Sequence, residues 1–550
     1  MMKTLIYILV VLLLASCYED KGNYDCNAID TGDVSLNKVY AVRLGKDTTV
    51  TIIPQLSQSL QENTENLKYA WLHSTINEMF YAEALSYNKD LDTVGTEVNL
   101  RFHIDPNEKN LKYEHYFRLN VYDEITGIEY PANTIIKLIK PYNGAWMVLH
   151  AKDGQTKLGA VEYIDGDIQV RKEAFYNETG KRFAGKPLCL GQYTTSSKYY
   201  GYGSSWNMFY VITDVPTEAG VYCQWKGFEK KDSLSRMVAP MARSSFDFQN
   251  IKLLDGDGSA SALLLSNNVL YQIPRAGKVY KPGTKLEGEM KITLASKVSN
   301  TALLYDEAGH RFAFYYNTSD GYGVKKYDPL YFSEGEENVD LIQEIPIRDG
   351  NVSVVNPNKL SPDQKVLYVG VGYQYDQDRT QMYGYALAKS EDKCCVYEFN
   401  SKGFTDPTYA SFNGYYQFEL PQDLDENSHV VSSPPYSGII FYASGNKVYR
   451  LDFKQSGGKA KVIYTHPGGK VSKMKFAKRI DPYPPKDFDF TAYQFDMKQS
   501  LGVSFDMGNG TSDFVILNLS STGSVGADSE DYPALQVYPD FGEIVDFVFI

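Results

Sequence analysis

Apolar and polar residues alternate along short segments near the start of the chain. Residues 98–104 read Val-Asn-Leu-Arg-Phe-His-Ile, and residues 67–72 and 116–123 follow the same two-residue period. Residues 48–53 are rich in β-branched side chains, which favour strands. A period of two places the apolar side chains on one face of a strand. The pattern predicts about seven strands over residues 30–142, packed as an immunoglobulin-like β-sandwich.

Beyond residue 145 a longer repeat begins, in which an apolar run is followed by a turn and a strand that contains a tyrosine. The interval between copies is roughly 50–70 residues, and a fixed interval is typical of repeat architectures. Near-continuous apolar runs suit strands that are covered on both faces. The recurring tyrosines are Tyr163, Tyr222, Tyr271, Tyr327, Tyr397 and Tyr449, and residues 515–519 continue the series.

Radial repetition of small antiparallel sheets is the arrangement of a β-propeller. The sequence therefore predicts an all-β protein with a sandwich over residues 30–142 and a propeller of about seven blades over residues 145–550. A row of unrelated β-sandwiches is the alternative. Residues 469–476 and 542–549 both begin with Gly and end with Phe, with apolar and polar positions in step. The apolar C-terminus is predicted to be a closing strand that pairs with the first strand of the propeller.

The N-terminus carries a short apolar run, residues 5–15, after the single basic residue Lys3. The run is too short to span a bilayer and suits the core of a signal peptide. The tetrapeptide Leu14-Ala15-Ser16-Cys17 resembles a bacterial lipobox, in which the peptidase cuts before a cysteine that carries lipid. Residues 1–16 are then a signal peptide and residues 17–29 a lipidated tether. A plain secretory signal with a chance cysteine is the alternative.

The segment after the cysteine, Tyr18-Glu19-Asp20-Lys21-Gly22-Asn23-Tyr24-Asp25, resembles the mature N-terminus of PKD-like family surface lipoproteins of Bacteroidetes. Residues 69–71 and 119–123 resemble pieces of a PKD domain, whose Trp71 is predicted to lie in the core. Cys26 stands where that family usually has an aromatic residue. The resemblance implies an outer-membrane, lipid-anchored protein that faces the cell exterior, with Glu19 and Asp20 as the surface-export signal. It also implies work beside a TonB-dependent transporter and a SusD-like lipoprotein in nutrient capture.

Charge and cysteine content narrow the class of partner. The formal net charge is −13 and no basic block is present, which argues against nucleic-acid binding. The remaining cysteines have no zinc-site spacing, and their odd number argues against a full disulfide framework. Cys394 and Cys395 are adjacent in a predicted strand and should point to opposite faces. A Cys189–Cys223 disulfide stays open.

No nucleotide-binding, metalloprotease or nucleophile-elbow motif is present, so no catalytic residue, metal or cofactor is predicted. Glycoside hydrolysis needs only two suitably spaced carboxylates, and the chain has 68 acidic residues. The predicted function is therefore a non-catalytic binding accessory in the capture of a glycan or peptide nutrient. A propeller-type degradative enzyme, similar to a glycoside hydrolase, is the main alternative, and an adhesin or structural spacer is another.

Three segments combine aromatic rings with Gly, Ser, Gln or Asn: residues 199–206, 373–376 and 413–416. Flat rings beside amide and hydroxyl groups suit sugars or extended peptides. Ordinary packing of a tyrosine-rich protein is the alternative for each ring. The residues predicted to bind ligand, all in loops, are Tyr200, Tyr202, Trp206, Tyr373 and Tyr375.

Overall fold

A computed structural model describes most of the two regions predicted from sequence. The described residues are 32–43, 48–58, 64–75, 92–105, 108, 112, 114–139, 141–142, 144–164, 167–195, 206–224, 227–254, 262–273, 281–282, 289–298, 301–316, 341–344, 355–374, 381–402, 411–455, 457–477, 499–528 and 533–550. The chain divides into two compact units, Met1–Lys140 and Pro141–Ile550. Cys17, Glu19 and Asp20 lie outside the described residues, as do Cys26 and the whole signal peptide.

The first unit is built from strands alone over its described residues. They are β1 (Gly32–Ser35), β2 (Val39–Arg43), β3 (Thr48–Ile52), β4 (Gln55–Gln58), β5 (Leu67–Ser74), β6 (Asp92–Gly95), β7 (Leu100–Ile104), β8 (Glu114–Asp123) and β9 (Glu129–Ile139). A five-stranded sheet has the order β2-β9-β8-β5-β6, and β1-β4 and β3-β7 form two further ladders.

One hydrophobic core joins these sheets. Trp71 is fully buried and contacts apolar residues of the five-stranded sheet and of the β3-β7 ladder, among them Ile52 and Phe117. Its indole Nε1 donates to the carbonyl of Glu97 at 3.0 Å, which satisfies the only polar atom of the ring. The prediction that Trp71 is a core residue is confirmed.

The second unit contains twenty-seven strands over its described residues, with two short helices. The strands of its first half are β10 (Trp146–Lys152), β11 (Gln155–Ile164), β12 (Asp167–Arg171), β13 (Pro187–Thr195), β14 (Trp206–Thr213), β15 (Gly220–Cys223), β16 (Glu229–Ser233), β17 (Ile251–Leu254), β18 (Ala262–Ser266), β19 (Val269–Ile273), β20 (Lys281–Pro282), β21 (Ile292–Val298), β22 (Thr301–Asp306), β23 (Arg311–Tyr316) and β24 (Leu341–Glu344). The helices are α1 (Ala174–Thr179) and α2 (Leu234–Met237).

The strands of its second half are longer on average. They are β25 (Lys365–Gln374), β26 (Gln381–Ser390), β27 (Lys393–Lys402), β28 (Ser411–Glu419), β29 (His429–Val431), β30 (Ile439–Ser444), β31 (Lys447–Asp452), β32 (Lys459–Thr465), β33 (Lys470–Phe476), β34 (Ser500–Asp506), β35 (Thr511–Asn518) and β36 (Leu535–Phe549).

These strands form consecutive antiparallel groups of four. Among the described residues, five groups are separate sheets, namely β13–β16, β17–β20, β21–β24, β25–β28 and β29–β32. The sixth sheet has seven strands in the order β12-β11-β10-β36-β35-β34-β33. Strand β36 belongs to two groups, because its first half pairs with β35 and its second half pairs with β10.

We number the groups in order around the sequence. Group 1 comprises the second half of β36 with β10, β11 and β12, groups 2 to 6 are the five separate sheets, and group 7 comprises β33, β34, β35 and the first half of β36. The predicted pairing of the C-terminus with the first strand of the unit is confirmed, since Trp146 lies opposite Phe549 and Val148 opposite Phe547. The two similar segments noted in the sequence are the first strands of groups 7 and 1.

The recurring tyrosines occupy one structural position. Tyr163, Tyr222, Tyr271, Tyr397 and Tyr449 all lie in the third strand of their group. Tyr327 lies outside the described residues, and the third strand of group 4 is β23, which contains the buried Tyr315. The sequence placed the group 4 copy of the repeat at Tyr327, whereas the third strand of that group is β23. The segment after β23 is rich in tyrosine and matches the same short pattern at several positions.

The first strands of successive groups lie beside one another in space. Contacts run from β13 to β17, β21, β25, β29, β33 and the second half of β36, and from there back to β13. The turn that joins the second and third strands of one group bonds to the entry of the first strand in the next group. Examples are Ile292 N to Asn268 O at 3.0 Å, Leu360 N to His310 O at 2.8 Å and Val471 N to Gly445 O at 2.8 Å.

These bonds fix the direction of the first strands. Each of these strands starts at the end of the groups that holds the turns between second and third strands, which we call the hairpin end. Because neighbouring strands in a group are antiparallel, each first strand finishes, and each second strand begins, at the opposite end. We call that opposite end the loop end.

The cores between groups use alternate residues of each strand. Cys394 packs with Ile440 and Leu451 of group 6, whereas Cys395 packs with Phe312 and other residues of groups 4 and 5. The two neighbouring cysteines point to opposite faces, as the strand period predicts. Cys189 and Cys223 are buried and are not joined in a disulfide, so that open pairing does not form.

Candidate functional site

The structure describes the backbone of two of the five predicted ligand-binding residues. Tyr200, Tyr202 and Tyr375 lie outside the described residues. Trp206 and Tyr373 were predicted to lie in loops, but both are strand residues. Trp206 begins β14 opposite Thr195, and Tyr373 lies within β25, one residue before Gln374, which faces Met382. Continued pairing with the neighbouring strand extends the ladder over both positions.

Trp206 and Tyr373 lie at the same end of the second unit. Trp206 starts the second strand of group 2, and Tyr373 is close to the finish of the first strand of group 5. Both positions are therefore at the loop end. They belong to groups that are three places apart, and the structure places their backbones at one end of the unit.

The third aromatic segment, residues 413–416, is also a strand rather than a loop. It lies in β28, near the start of that strand and hence at the loop end of group 5. Glu398 of β27 pairs with Gly414, and the next residue, Phe399, pairs with Phe412, so Asn413 is the extra residue of a β-bulge. A bulge redirects the side chain of the extra residue. The Asn413 amide Nδ2 donates to the Glu398 carboxylate.

Glu398 is the centre of a polar cluster between groups 5 and 6. Its side chain is 3 % exposed, and its Oε2 lies 2.5 Å from the Lys454 ammonium. Lys454 follows the third strand of group 6, and its Nζ lies 5.5 Å from the centre of the Tyr416 ring. We call Glu398, Asn413, Tyr416 and Lys454 the Glu398 cluster.

Burial in the Glu398 cluster is graded from inside to outside. The carboxylate is enclosed, while the side chain of Lys454 is 29 % exposed and Asn413 and Tyr416 are half-buried. Burial acts to lower the pKa of Lys454, but the Glu398 carboxylate outweighs it and the pKa is raised. Burial and the same carboxylate raise the pKa of Tyr416. At neutral pH the raised pKa values keep Lys454 as an ammonium and Tyr416 as a neutral phenol.

This arrangement can bind a polar ligand by several contacts. The ammonium bonds to Glu398 and Tyr416 and the amide donates to Glu398, and both side chains, like the Tyr416 phenol, are partly exposed at the surface of the cluster. In the part of the chain that the structure describes, no group of three or more His, Cys, Asp or Glu residues could hold a metal ion. Burial raises the pKa of the Cys394 thiol to about 12, so this cysteine is a packing residue rather than a nucleophile.

A second polar cluster lies among the first strands of groups 7, 1 and 2, which are β33, the second half of β36 and β13. Asp546 of β36 is buried, and its carboxylate lies 2.8 Å from the Lys475 ammonium and 3.3 Å from that of Lys473. It also accepts from the backbone N–H of Leu190 at 2.9 Å. Burial alone would raise the pKa of Asp546, but the two ammonium groups lower it overall. Because this carboxylate joins groups 7, 1 and 2, its role is structural.

Glu398 and Lys454 were missed in the sequence. Glu398 stands among apolar residues in a tyrosine-containing strand, and Lys454 comes more than fifty residues later. The available signal was Gly414, since an isolated glycine inside a strand pattern often marks a bulge. That signal predicts the position of the bulge, but it does not indicate that Glu398 and Lys454 lie beside it.

Comparison with known proteins finds a family match for the N-terminal part of the chain. Residues 17–187 match the PKD-like family, a range that takes in the first unit from residue 17 onward and strands β10 to β12 of the second. No curated protein matches the chain. Within the described residues, no helix is both long and apolar enough to cross a membrane.

Three solved structures resemble the chain at low sequence identity. A quinonprotein alcohol dehydrogenase-like protein from Bacteroides thetaiotaomicron is 12 % identical with a TM-score of 0.40, covering 92 % of this chain and 96 % of its own. YCF48 from Cyanidioschyzon merolae is 10 % identical with a TM-score of 0.31, covering 65 % and 95 %. A chain of a nidogen/laminin complex is 9 % identical with a TM-score of 0.27, covering 74 % and 97 %.

These TM-scores are low, so the architecture rests on the strand pairing described above. The family match starts at Cys17, the residue at which the sequence resemblance also begins. The predicted resemblance to the PKD-like family is thus confirmed for residues 17–187.

Proposed function

We propose that this protein is a lipid-anchored surface protein of the outer membrane that binds a nutrient, a glycan or a peptide, without transforming it. The observation that carries the proposal is the position of the predicted binding residues. Trp206 and Tyr373 come from distant parts of the sequence and both lie at the loop end. The Glu398 cluster lies at the same end of group 5.

The scaffold in this proposal is a closed propeller of seven blades, residues 145–550, with one blade for each of the seven groups. Two observations support it: β36 pairs with β10, and the first strands contact one another in a continuous series that returns to β13. Propeller ligands bind where connections from several blades converge at one end. The loop end therefore serves as the binding face.

The anchor and the partners of this proposal rest on the family match from Cys17 onward. The lipid on Cys17 holds the protein at the outer membrane, and Glu19 and Asp20 direct it to the surface. There it delivers its ligand to a TonB-dependent transporter with a SusD-like lipoprotein. Co-purification of both partners with the tagged protein from detergent-solubilised outer membranes tests this assembly, and their absence from the eluate argues against it.

The experiment for the binding face uses Trp206→Ala. An aromatic ring on a ligand contributes about 1–2 kcal/mol, so the variant should bind its ligand about tenfold more weakly. Calorimetry against the glycan or peptide found by an array screen measures the change, and circular dichroism checks the fold. Tyr176→Ala is the matched control, because Tyr176 is an exposed aromatic residue in α1, at the hairpin end.

Equal affinity of a folded Trp206→Ala variant and the parent protein would remove Trp206 from the site. Product analysis by mass spectrometry in the same samples distinguishes binding from catalysis. Cleaved glycan in the presence of the parent protein would favour the degradative enzyme instead.

A further inference from the structure

We propose that the Glu398 cluster is a subsite for a neutral saccharide, which would contact Lys454, Asn413 and the ring of Tyr416. This inference rests on the proposed binding function and names the ligand class at one position of the loop end.

The charge of the cluster favours an uncharged ligand. Lys454 lies 2.5 Å from the Glu398 carboxylate, so the two charges cancel locally. The chain as a whole carries a formal net charge of −13, which adds repulsion toward an anion. A cation would have to reach Glu398, whose side chain is 3 % exposed and already bonded to Asn413 and Lys454. Neither an acidic nor a basic ligand therefore finds an unmatched charge.

The exposed atoms of the cluster match neighbouring hydroxyl groups. Each sugar hydroxyl both donates and accepts, and the Lys454 ammonium and the Asn413 amide are two partly exposed hydrogen-bonding groups that share the Glu398 carboxylate. The Tyr416 ring is half-buried and packs against Phe453 with the ring centroids 5.1 Å apart, and its exposed part offers an apolar surface for the C–H side of a sugar ring. A Cβ at Gly414 would lie 3.3 Å from the Tyr416 ring, so the glycine lets the ring lie close to the backbone of β28.

The lysine is held in place before any ligand arrives. Gly438 has a φ of +73°, and a Cβ there would lie 2.8 Å from Cβ of Lys454, so the glycine makes room for the lysine stem. The Gly438 N–H donates to the Tyr385 hydroxyl at 3.1 Å, and its carbonyl accepts from Phe453 N–H at 3.0 Å. A fixed side chain loses little entropy on binding, which favours affinity.

The backbone of β28 opposes the alternative, a peptide. An extended peptide would bind by adding a strand to the outer edge of group 5, with regular main-chain hydrogen bonds. The bulge at Asn413 breaks the regular register of β28 beside the cluster. Bulges twist an edge away from further pairing. The edge is therefore unsuited to strand addition at the place where the side chains could select a ligand.

Calorimetry with the detergent-solubilised full-length protein tests the inference. The neutral probes are maltohexaose, cellohexaose and mannohexaose, the acidic probe is hexagalacturonate, and the peptide probe is a tryptic digest of casein. We expect at least one neutral probe to bind, and neither of the other two. Tyr416→Leu should weaken that binding about tenfold, because it removes the flat ring and keeps an apolar side chain of similar bulk.

The charged pair is tested by the double variant Glu398→Gln with Lys454→Met, which leaves no unpaired charge in the buried position. It should also bind the neutral probe at least tenfold more weakly, with an unchanged circular dichroism spectrum. Lys447→Met is the matched control, because Lys447 is an exposed lysine at the start of β31, the strand after which Lys454 comes. It should bind as the parent does.

Each outcome separates this inference from the proposed function. Binding of hexagalacturonate or peptide in place of the neutral probes, weakened by Trp206→Ala, overturns the inference and leaves the binding function standing. Binding of a neutral probe that responds to Trp206→Ala but to neither cluster variant also overturns it. If no probe of any class binds, both the inference and the proposed function are contradicted.

Discussion

At the scale of single residues, His150 contacts the closing strand β36, and protonation of its ring would break that contact. The ring is buried, its Nε2 donates to the carbonyl of Lys172 at 2.9 Å, and its Nδ1 accepts from the N–H of Gly542 at 3.1 Å. The contact with Gly542 requires the neutral imidazole, because a protonated Nδ1 cannot accept a hydrogen bond. Burial lowers the pKa of His150 from 6.5 to about 4, and the nearby Lys157 adds to the lowering.

This contact predicts that acid weakens the second unit. Below pH 6.5 the unfolded chain binds a proton that the folded His150 excludes until about pH 4. The free energy of unfolding therefore keeps its full value above pH 7. It falls as the pH is lowered and is smaller by about 2 kcal/mol at pH 5. Denaturant unfolding of the parent and of His150→Gln across this range measures it. A variant with the same pH dependence as the parent would show that His150 is not the responsible group.

Asp546 gives a second prediction at this scale. Asp546→Asn leaves the ammonium groups of Lys473 and Lys475 without their anion, and breaking a buried pair costs about 3–5 kcal/mol. Because both lysines are partly exposed, we expect about 2–3 kcal/mol in the free energy of unfolding of the second unit. Glu543→Gln, three residues earlier in the same strand and exposed, is the control and should change little. Equal stability of the two variants would contradict the structural role of Asp546.

At the scale of elements, the last nine residues hold the ends of the second unit together. Ile544, Phe547, Val548, Phe549 and Ile550 are buried, and each buried side chain of this size contributes about 1.5–3 kcal/mol. Their sum is comparable with the whole stability of a typical domain, about 5–15 kcal/mol. Deletion of residues 542–550 should therefore lower the melting temperature of the entire second unit rather than fray one strand.

Differential scanning calorimetry checks the effect of this deletion. The transition of the first unit, which has its own core around Trp71, should stay in place and serve as the internal control. A truncated protein whose second unit melts at the parental temperature would favour independent sandwiches over a closed ring.

At the scale of the whole molecule, the predictions concern location. Cys17→Ala should release the protein from the membrane fraction, because it removes the thiol that would carry the proposed lipid anchor. Western blotting of membrane and soluble fractions measures the change. Cys26→Ala, a cysteine outside the lipobox, is the control. A Cys17→Ala protein that stays tightly bound to membranes would contradict the proposed anchor.

A separate prediction concerns the side of the membrane that the protein faces. Replacement of Glu19 and Asp20 by Ala should protect the protein from protease added to intact cells, while Lys21→Ala should leave it accessible. Protease shaving followed by blotting gives the result. Unchanged accessibility of the double variant would show that these acidic residues carry no export signal.

The sequence alone determined what depends on local pattern. Alternation such as that of residues 98–104 located strands, because the two-residue period of a strand is a local property. The tyrosine spacing located most third strands, and the likeness of residues 469–476 to 542–549 marked two equivalent first strands. The motif at Cys17 needs no fold for its recognition. Where the pattern was ambiguous, as at Tyr327, the sequence pointed to the wrong segment.

Only the tertiary structure decided which distant residues meet. The direction of the first strands, which brings Trp206 and Tyr373 to one end, follows from backbone hydrogen bonds between groups. Glu398 and Lys454 meet because two sheets pack side by side and a bulge turns Asn413 toward the carboxylate. A carboxylate and an ammonium far apart in sequence carry no local mark of their pairing, since their attraction depends on a distance that the folded chain alone sets.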